Sequence, residues 1–325
     1  MSDPPSSRQP VRQPWALERL VRERAEALSR SLDISSRHTY ASALNSWLAF
    51  INMHHFEIEP TPDTLSYFIV YMSHHISPRS VKSYLSGLVQ QLEPDFPSIR
   101  EVRSSRLVTR TMKGCLKSFA KPIQRKNPLS IFDLQYLETR FQHSQTHDDH
   151  LFLALLVTGF HGLLRLGKMV FPDNVNLRDW RKITRRNSLT LTQTRYQFVL
   201  TTHKADKFYE GNKVIIQAFD NSPFDPLPIF SRYLSSRDRL FPAASPLWLM
   251  SSGDIPTRSF FVSRFRIFFS KSYGGASMRA GGATHLAELG TSPHIIRALG
   301  RWKSEAWEVY IRVHPIILQA LLRRH

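Results

Sequence analysis

Cysteine is almost absent from this chain of 325 residues, which contains only Cys115. A single cysteine excludes an internal disulfide bond and a zinc site made of cysteine thiolates, and it fits a reducing compartment. The polar amino terminus lacks the apolar run of a signal peptide. The longest apolar stretch, Leu151 to Leu164, contains His161 and is too short to span a bilayer. We therefore expect a soluble, intracellular protein with no membrane partner.

Two motifs that mark common enzyme classes are also missing. The sequence has no G-x-x-x-x-G-K-[ST] loop for nucleotide phosphates and no G-x-S-x-G elbow for a nucleophilic serine. His143, His147 and His150, with Asp148 and Asp149 beside them, have the residue types of a metal site. They share one face only if a single helix covers all three histidines. Polar residues at the solvent-exposed start of a helix are therefore the simpler interpretation.

Acidic residues are scarce relative to basic ones. The chain has 26 Asp and Glu against 44 Lys and Arg, a formal net charge of +18. The excess is not confined to a tail, since residues 1–128 carry 18 basic and 11 acidic side chains and residues 129–325 carry 26 and 15. A basic excess in both halves fits a polyanion bound between them, although a merely soluble basic protein has the same composition.

Changes in hydrophobic spacing divide the chain into four parts. Residues 1–13, rich in Pro, Ser and Gln, are expected to be disordered. Residues 14–120 have the apolar spacing of consecutive helices. Residues 121–129 combine prolines with basic residues and predict a linker. Residues 130–325 predict a second domain, so the fold expected is mainly α, with a helical N-terminal domain and an α+β C-terminal domain.

The second half contains the strand-like segments. Residues 188–202 are rich in Thr, Leu, Val and aromatic side chains with partial alternation, and residues 213–217 form a second strand-like run. The polar segment HKADKFYEG between them predicts a hairpin turn and a small antiparallel sheet. Helices are expected before and after this sheet, and the amphipathic C-terminal IILQALLRR predicts a helix that packs in cis or on a neighbouring protomer. The helices expected here cover 130–142, 147–165, 227–236, 257–270, 277–289, 293–299, 305–312 and 316–323.

Basic residues recur at helical spacing between Ile99 and Phe119. On one continuous helix they fall along a single face, with Val108 and Met112 elsewhere. Only Glu101 is acidic within the segment, so we expect no salt-bridge pairing that would explain the stripe. A solvated helix face is the ordinary explanation, and contact with DNA phosphates is our preferred one. The stripe consists of Arg100, Arg103, Arg106, Arg110, Lys113 and Lys117.

Two basic side chains occupy unusual places in the second half. Arg165, in GLLRLGKM, follows an apolar helix, where a buried guanidinium is costly without a partner. We expect it to bind an anion, with an ordinary structural salt bridge as the alternative. Lys204 lies in the predicted hairpin turn, which can hold it over a groove where a phosphate and an arginine tune its pKa. An ordinary surface lysine is the alternative there.

Two further motifs lie in the last third of the chain. In ASMRAGGATHLAELG, Arg279 lies near a helix start, and Gly281 and Gly282 predict a close approach of another helix or backbone. A packing motif without further function explains these glycines equally well. In LGRWKSEAWEVYIR, Gly300 ends one helix and Tyr310 lies on the next, where a tyrosine buried in the core is the plain alternative.

Taken together and in this order, these segments resemble the tyrosine recombinase (phage integrase) family, and most closely its fungal crypton-type members. The resemblance covers about residues 35–325 and is most specific in SMRAGGATHLAELG, GRWKSEAWEVYIR and HKADKFYEG. It implies an N-terminal helical core-binding domain with a SAM-like fold and a C-terminal catalytic domain, which clamp double-stranded DNA between them. It further implies self-association on DNA, from dimer to tetramer, and a nuclear protein that stems from a mobile element.

The resemblance also implies a role for each motif. Arg165 and Arg279 match the two arginines that bind the scissile phosphate and stabilise its transition-state charge. Lys204 matches the hairpin lysine that protonates the leaving 5′-oxygen. Trp302 matches the His/Trp position whose ring N–H bonds the phosphate, and Tyr310 matches the nucleophile that forms a 3′-phosphotyrosyl link. In this chemistry the arginines and the lysine supply the electrostatic stabilisation, so neither a metal nor a small-molecule cofactor is expected.

The sequence departs from the family pattern at two positions. Ala276 stands three residues before Arg279, where the family has a histidine, and Lys168 stands where the family has an acid after the first arginine. Loss of one general acid or base typically lowers the rate by about 10²–10⁴, so weakened catalysis is expected. A degenerate relative that only binds DNA is therefore the alternative function, and a monomeric type IB topoisomerase is a weaker third.

Overall fold

The computed structural model describes residues 12–30, 33–201, 212–218 and 224–302. The chain divides into two compact units, Met1–Ile123 and Gln124–His325, and this division lies within the segment 121–129 that was predicted as a linker. Several predictions fall outside the described residues. They concern disorder through residue 11, the hairpin turn HKADKFYEG with Lys204, the helices expected at 305–312 and 316–323 with Tyr310, and the segment IILQALLRR.

The described part of the first unit is entirely helical. Caps set the helix starts, as at α3, where the Thr61 and Thr64 hydroxyls each accept the backbone N–H of the other and Pro62 occupies the first turn. Trp47 and Phe68 pack edge to face, with ring centroids 5.4 Å apart, at the centre of its core. The helices are α1 (Leu17–Arg30), α2 (Ile34–His54), α3 (Pro62–His75), α4 (Pro78–Leu92), α5 (Ile99–Ser104) and α6 (Arg106–Phe119).

The single basic helix expected between Ile99 and Phe119 is wrong, because the chain breaks at Ser105. Ser105 has extended backbone, with φ −54° and ψ 151°, and it ends α5. Its hydroxyl accepts the backbone N–H of Val108 and so caps α6. Serine is a good N-cap residue, but whether a helix breaks at a serine depends on the packing around it. The helical spacing of the basic residues does not reveal that packing.

The second unit adds a small sheet to a helical framework, as expected from the sequence. Its three strands are antiparallel in the order β1-β2-β3, and Tyr196 pairs with Ile216. The segment 188–202 forms two strands rather than one, because the Thr192 hydroxyl accepts the backbone N–H of Arg195 and turns the chain. The elements are α7 (Ile131–Phe141), α8 (His147–His161), β1 (Thr190–Leu191), β2 (Arg195–Leu200), β3 (Asn212–Gln217), α9 (Pro226–Leu240), α10 (Arg258–Phe268), α11 (Gly275–Glu288) and α12 (Pro293–Gly300).

The helix α8 forms the centre of this unit. Its residues 150–160 are all buried, against α9 on one side and α11 on another. The inward face of the sheet meets the same core, where the Thr158 and Tyr196 hydroxyls are hydrogen-bonded at 3.0 Å. Within the described ranges, no helix is both long enough and apolar enough to cross a membrane. The helices of both units and the three-stranded antiparallel sheet confirm the predicted mainly α fold.

Two glycines on α11 allow direct backbone contact. A Cβ at Gly281 would collide with the carbonyl oxygen of Leu129, and a Cβ at Gly282 would collide with that of Phe160. The predicted close approach at these two positions is thus confirmed. Leu129 belongs to the segment predicted as linker, and its N–H donates to Ser277 O at 3.1 Å. The end of this segment is therefore fixed onto α11.

We predict that Gly282→Ala destabilises the second unit by about 3 kcal/mol, because the added methyl group meets a backbone carbonyl that has no room to move. Gly167→Ala is the matched control, since a Cβ there meets nothing within 4 Å, and its effect should stay within about 0.5 kcal/mol. Urea unfolding of the full chain measures both. Equal stability of the Gly282 variant and the native chain would show that the helices do not touch at this point.

Candidate functional site

Arg165 lies just beyond the end of α8. The helix ends at His161, and Gly162 and Leu163 turn the chain, with Leu163 in the left-handed region at φ 49°. Arg165 then precedes a short 3-10 turn over Leu166–Lys168, and its side chain is exposed. This turn carries Arg165 from the apolar helix to the surface, so its guanidinium is not buried. No described residue forms an ion pair with it.

Arg279 is, by contrast, buried on α11, with 4% of its surface exposed. Its Nη2 donates to the carbonyl oxygen of Gly300 at the end of α12. Its guanidinium carbon also lies 4.2 Å from the ring centroid of Trp302, a cation–π distance. The second arginine is therefore held by a backbone acceptor and an aromatic face.

Trp302 packs into a small apolar cluster with Leu163, Ala283 and Ile296. Its ring occupies the space where any side chain at position 300 would begin, so only glycine fits there. Gly300 is also the last residue of α12, as predicted. It therefore both ends the helix and makes room for the indole ring that covers Arg279. Contact between the Trp302 ring N–H and a phosphate remains a prediction.

The packing of α11 brings the two arginine-bearing segments side by side. A Cβ at Gly275 would lie 2.8 Å from the Leu166 side chain, and one at Gly282 would lie 2.6 Å from that of Leu163. Leu163 and Leu166 flank Arg165, while the two glycines flank Arg279. The helix therefore runs along the turn, so the backbone segments that carry the two arginines pack against each other.

The two departures from the family pattern lie beside these arginines. Ala276 is exposed on the first turn of α11, one helical turn before Arg279. Lys168 is half-buried at the end of the 3-10 turn, where it lines a cavity together with Asp179 and Lys182. A methyl group at position 276 has no acid or base function, and an ammonium group at 168 adds positive charge to this turn.

Lys204 and Tyr310 lie outside the described residues. The strands on both sides of the hairpin are described, and their last pair is Leu200 with Asn212. Leu200 and Asn212 are thus the last paired residues on either side of the segment that contains Lys204.

The predicted basic stripe is divided between two helices. On α5, Arg100 donates to the Glu93 carboxylate, with Nη2 2.6 Å from Oε2, and this hydrogen bond lowers the pKa of Glu93. Arg103 is half-buried and donates to the Ser86 hydroxyl at 2.9 Å, and burial lowers its pKa. A stripe of six free charges is therefore wrong, because Glu93 lies outside the segment in sequence but beside it in space.

Four members of the stripe remain exposed on one face of α6. They follow one another at spacings typical of a single helix face, and no described residue forms an ion pair with any of them. We call this set the α6 stripe. It consists of Arg106, Arg110, Lys113 and Lys117.

The three histidines considered as metal ligands have structural roles or lie apart. Thr146 caps α8, so His143 precedes the helix that contains the other two. His147 uses both ring nitrogens, bonding Ser236 Oγ and Leu249 O at 2.9 Å each. His150 Nε2 lies 3.0 Å from Ser144 O. Within the described ranges, no three His, Cys, Asp or Glu side chains are grouped for a metal ion.

Sequence reasoning missed Arg301. This residue caps α12 with φ 56°, in the left-handed region. Its Nη1 donates to Gly162 O at 3.2 Å and to Leu299 O at 2.9 Å, and its Nη2 donates to Lys213 O at 3.3 Å. Every residue type carries a backbone carbonyl, so no sequence signal points to these contacts.

The sequence matches no protein-family model and no curated protein. Three solved structures share its fold. The first is XerH site-specific recombinase bound to palindromic difH substrate, with 16% identity and a TM-score of 0.58, covering 88% of this chain and 78% of that one. The second is a lambda integrase dimer bound to a COC' core site, with 13% identity and a TM-score of 0.52, covering 90% of this chain and 76% of that one. The third is the Tn1549 transposon integrase in complex with transposon right end DNA, with 12% identity and a TM-score of 0.54, covering 89% of this chain and 98% of that one. The chain therefore has the fold of tyrosine recombinases and integrases.

His161, the last residue of α8, is a titratable group next to the Arg165 turn. Its Nε2 is buried and its ring is stacked on Phe224, with centroids 6.0 Å apart. Burial, with a smaller contribution from His285, lowers the pKa of His161 to about 3 from its ordinary value of 6.5. The folded unit therefore favours the neutral imidazole.

We predict an acid-dependent loss of stability that originates at His161. The unfolded chain binds a proton near pH 6.5 and the folded chain only near pH 3, so the free energy of unfolding falls as the pH drops between these values. Between pH 8 and pH 5 the loss is about 2 kcal/mol. Urea unfolding of the native chain and of His161→Phe at both pH values measures it. The same pH dependence in both proteins would contradict the assignment.

Proposed function

We propose that this chain is a DNA-binding site-specific recombinase or integrase that cleaves and rejoins strands through a 3′-phosphotyrosyl link at Tyr310. The observation that supports the proposal is the packing of α11 on Leu163 and Leu166, which flank Arg165, in a chain with a recombinase fold. Two guanidinium groups at one edge can bind the two non-bridging oxygens of a single phosphate.

The described arginines suit two different tasks. Arg165 is exposed and has no ion-pair partner among the described residues, so a phosphate can approach it directly. Arg279 is oriented by Gly300 O and the Trp302 ring, which fixes its guanidinium in advance of DNA binding. Fixed donors stabilise developing charge most effectively because they do not reorganise during the reaction.

The remaining steps fall to Tyr310 and Lys204. The Tyr310 hydroxyl gives up its proton to solvent as its oxygen attacks the phosphorus, the bond to the 5′-oxygen breaks, and Lys204 gives that oxygen a proton. The phosphodiester energy stays in the phosphotyrosyl link, so the reverse attack by a 5′-hydroxyl rejoins a strand without a nucleotide cofactor. Trp302 adds a ring N–H donor in this scheme, and no step requires a metal.

The proposal includes the wider assignments. Residues 14–120 act as the core-binding domain and 130–325 as the catalytic domain, with 121–129 between them. Two similar structures are of a lambda integrase dimer and tetramer on DNA, which supports self-association of this chain on double-stranded DNA. A crypton-type mobile-element origin and a nuclear location complete the proposal.

A chain that binds DNA without cutting it is the second candidate. Ala276 cannot transfer a proton, and Lys168 replaces an acid of the family pattern. These two departures favour a site that still recognises phosphate but reacts slowly.

We expect a nicked suicide DNA duplex to trap a covalent protein–DNA adduct with the native chain and none with Tyr310→Phe, because the variant lacks the attacking oxygen. Denaturing electrophoresis measures the adduct, and a gel shift of both proteins controls for DNA binding. If both proteins shift DNA and neither forms adduct, the chain is a binding protein and the catalytic proposal fails.

Ala276→His extends this experiment. Position 276 is exposed, so an imidazole fits without displacing the core. Where the native chain reacts slowly, the added acid–base group should raise the adduct rate by about 10²-fold or more. An unchanged rate would show that position 276 does not limit the reaction.

We predict that the α6 stripe contacts DNA phosphates. Reversal of Arg106, Arg110 and Lys113 to Glu should weaken binding and make the negative slope of log K against log salt shallower by about 0.9 for each phosphate that the protein no longer neutralises. The matched control reverses Arg19, Arg22 and Arg24, which are exposed on α1 and carry the same total charge. Fluorescence anisotropy over a salt series measures both slopes. Equal slopes in the two triple variants would exclude this face as a phosphate-binding surface.

A further inference from the structure

We propose that Arg301 is a positioning residue of the candidate active site, where it ties the hairpin strand β3 to the turn that precedes Arg165. The hydrogen bonds of Arg301 do not depend on any assigned function, whereas their consequence for catalysis rests on the proposed function. Arg301 lies within the motif LGRWKSEAWEVYIR, next to Trp302, but the sequence prediction gave it no role.

The guanidinium of Arg301 joins three backbone segments. Nη1 donates to Gly162 O at 3.2 Å, at the end of α8, and Nη2 donates to Lys213 O at 3.3 Å, on β3. A third bond, from Nη1 to Leu299 O at 2.9 Å, anchors the side chain to its own helix α12. A planar group with several fixed N–H donors can serve acceptors in different directions at once, which a single ammonium group does poorly.

The two tied segments already lie in tight contact. A Cβ at Gly162 would lie 3.1 Å from the Val214 side chain and 3.3 Å from that of Ile216. The glycine therefore lets the end of α8 meet β3 directly, and Arg301 spans this junction. Arg165 follows Gly162 by three residues, and the segment with Lys204 is the one that connects β2 to β3. Arg301 thus fixes the base of both segments that carry the candidate catalytic side chains.

The charge of Arg301 also distinguishes it from a structural arginine of the same unit. Arg237 is fully buried and donates to the Asp238 carboxylate at 2.9 Å, so its charge has an acidic partner, which Arg186 shares. Arg301 has carbonyl acceptors only within the described ranges, and burial lowers its pKa. An arginine held without a carboxylate raises the positive potential of the edge where Arg165 would receive a phosphate.

The backbone gives no reason for an arginine here. Arg301 and Leu163 are two of the three non-glycine residues with positive φ in the described chain, at 56° and 49°. Glycine and asparagine adopt this conformation more readily than arginine. The side chain, rather than the turn, therefore explains the residue at this position.

Hydrogen exchange of the full chain tests the tie without any need for activity. Arg301→Asn keeps a residue suited to positive φ and removes the guanidinium. The amides of β2 and β3 should then exchange at least about tenfold faster, because the hairpin opens locally more often. Arg301→Lys should fall between this variant and the native chain, and the exposed control Arg239→Asn should not differ from the native chain. Native exchange rates in Arg301→Asn would overturn the proposal.

Should Arg301→Asn fail to fold by circular dichroism, Arg301→Lys decides the question. Its single ammonium group cannot serve Gly162 and Lys213 together, so the amides of β3 should still exchange faster than in the native chain. Equal exchange in the lysine variant and the native chain would then count against the tie.

The adduct experiment separates this inference from the proposed function. In Arg301→Asn the adduct rate at saturating DNA should fall by about 10–10²-fold, as expected for misplaced catalytic groups, and saturating DNA removes the effect of the weaker binding that the lost charge causes. Faster exchange with an unchanged adduct rate would refute the positioning role. If the native chain forms no adduct at all, the proposed function fails, and hydrogen exchange alone still decides whether Arg301 ties β3 to the end of α8.

Discussion

The contact between α11 and the end of α8 is made by backbone atoms, and the candidate site depends on it. Gly281 and Gly282 leave no side chain between the helix and the carbonyl groups of Leu129 and Phe160. Any larger residue would push α11 outward and carry Arg279 away from the Arg165 turn. The same contact fixes the end of the segment 121–129, since Leu129 also bonds Ser277. Close packing of two backbones thus determines where both arginines lie.

Three arginines at this edge differ in what they bind. Arg165 is exposed without an ion-pair partner among the described residues, Arg279 is covered by Trp302 and bonded to Gly300 O, and Arg301 is bonded to carbonyl oxygens. Carbonyl groups orient a guanidinium but leave its net charge in place. The edge therefore combines guanidinium groups in fixed geometry with the exposed Arg165, and an anionic ligand such as a DNA phosphate requires both.

Local signals in the sequence were sufficient where the cause of a structure is local. Paired glycines in a helix predicted the close approach of α11 because a missing Cβ acts at its own position. The sheet and its hairpin strands were predicted from alternation, although the turn at Thr192 that divides the first strand was missed. The order of the motifs indicated a recombinase fold, and solved structures with this fold support that interpretation.

Predictions failed where the cause lies elsewhere in the chain. The helix expected over 147–165 ends at His161, where Gly162 packs on Val214 and Ile216, about fifty residues away, and Arg165 lies beyond it. The basic stripe was overestimated because Glu93, which pairs with Arg100, precedes the segment and reaches it through a turn. Arg301 was missed because its acceptors are carbonyl groups, which leave no mark in a sequence.

The central claim is that Arg165 and Arg279 meet at one phosphate, and a crystal structure of the full chain on a nicked DNA duplex tests it most directly. The account predicts one phosphate within hydrogen-bond distance of both guanidinium groups, at the edge where α11 runs along the Arg165 turn. A complex in which DNA lies elsewhere on the second unit, or in which no phosphate approaches Arg279, would contradict it.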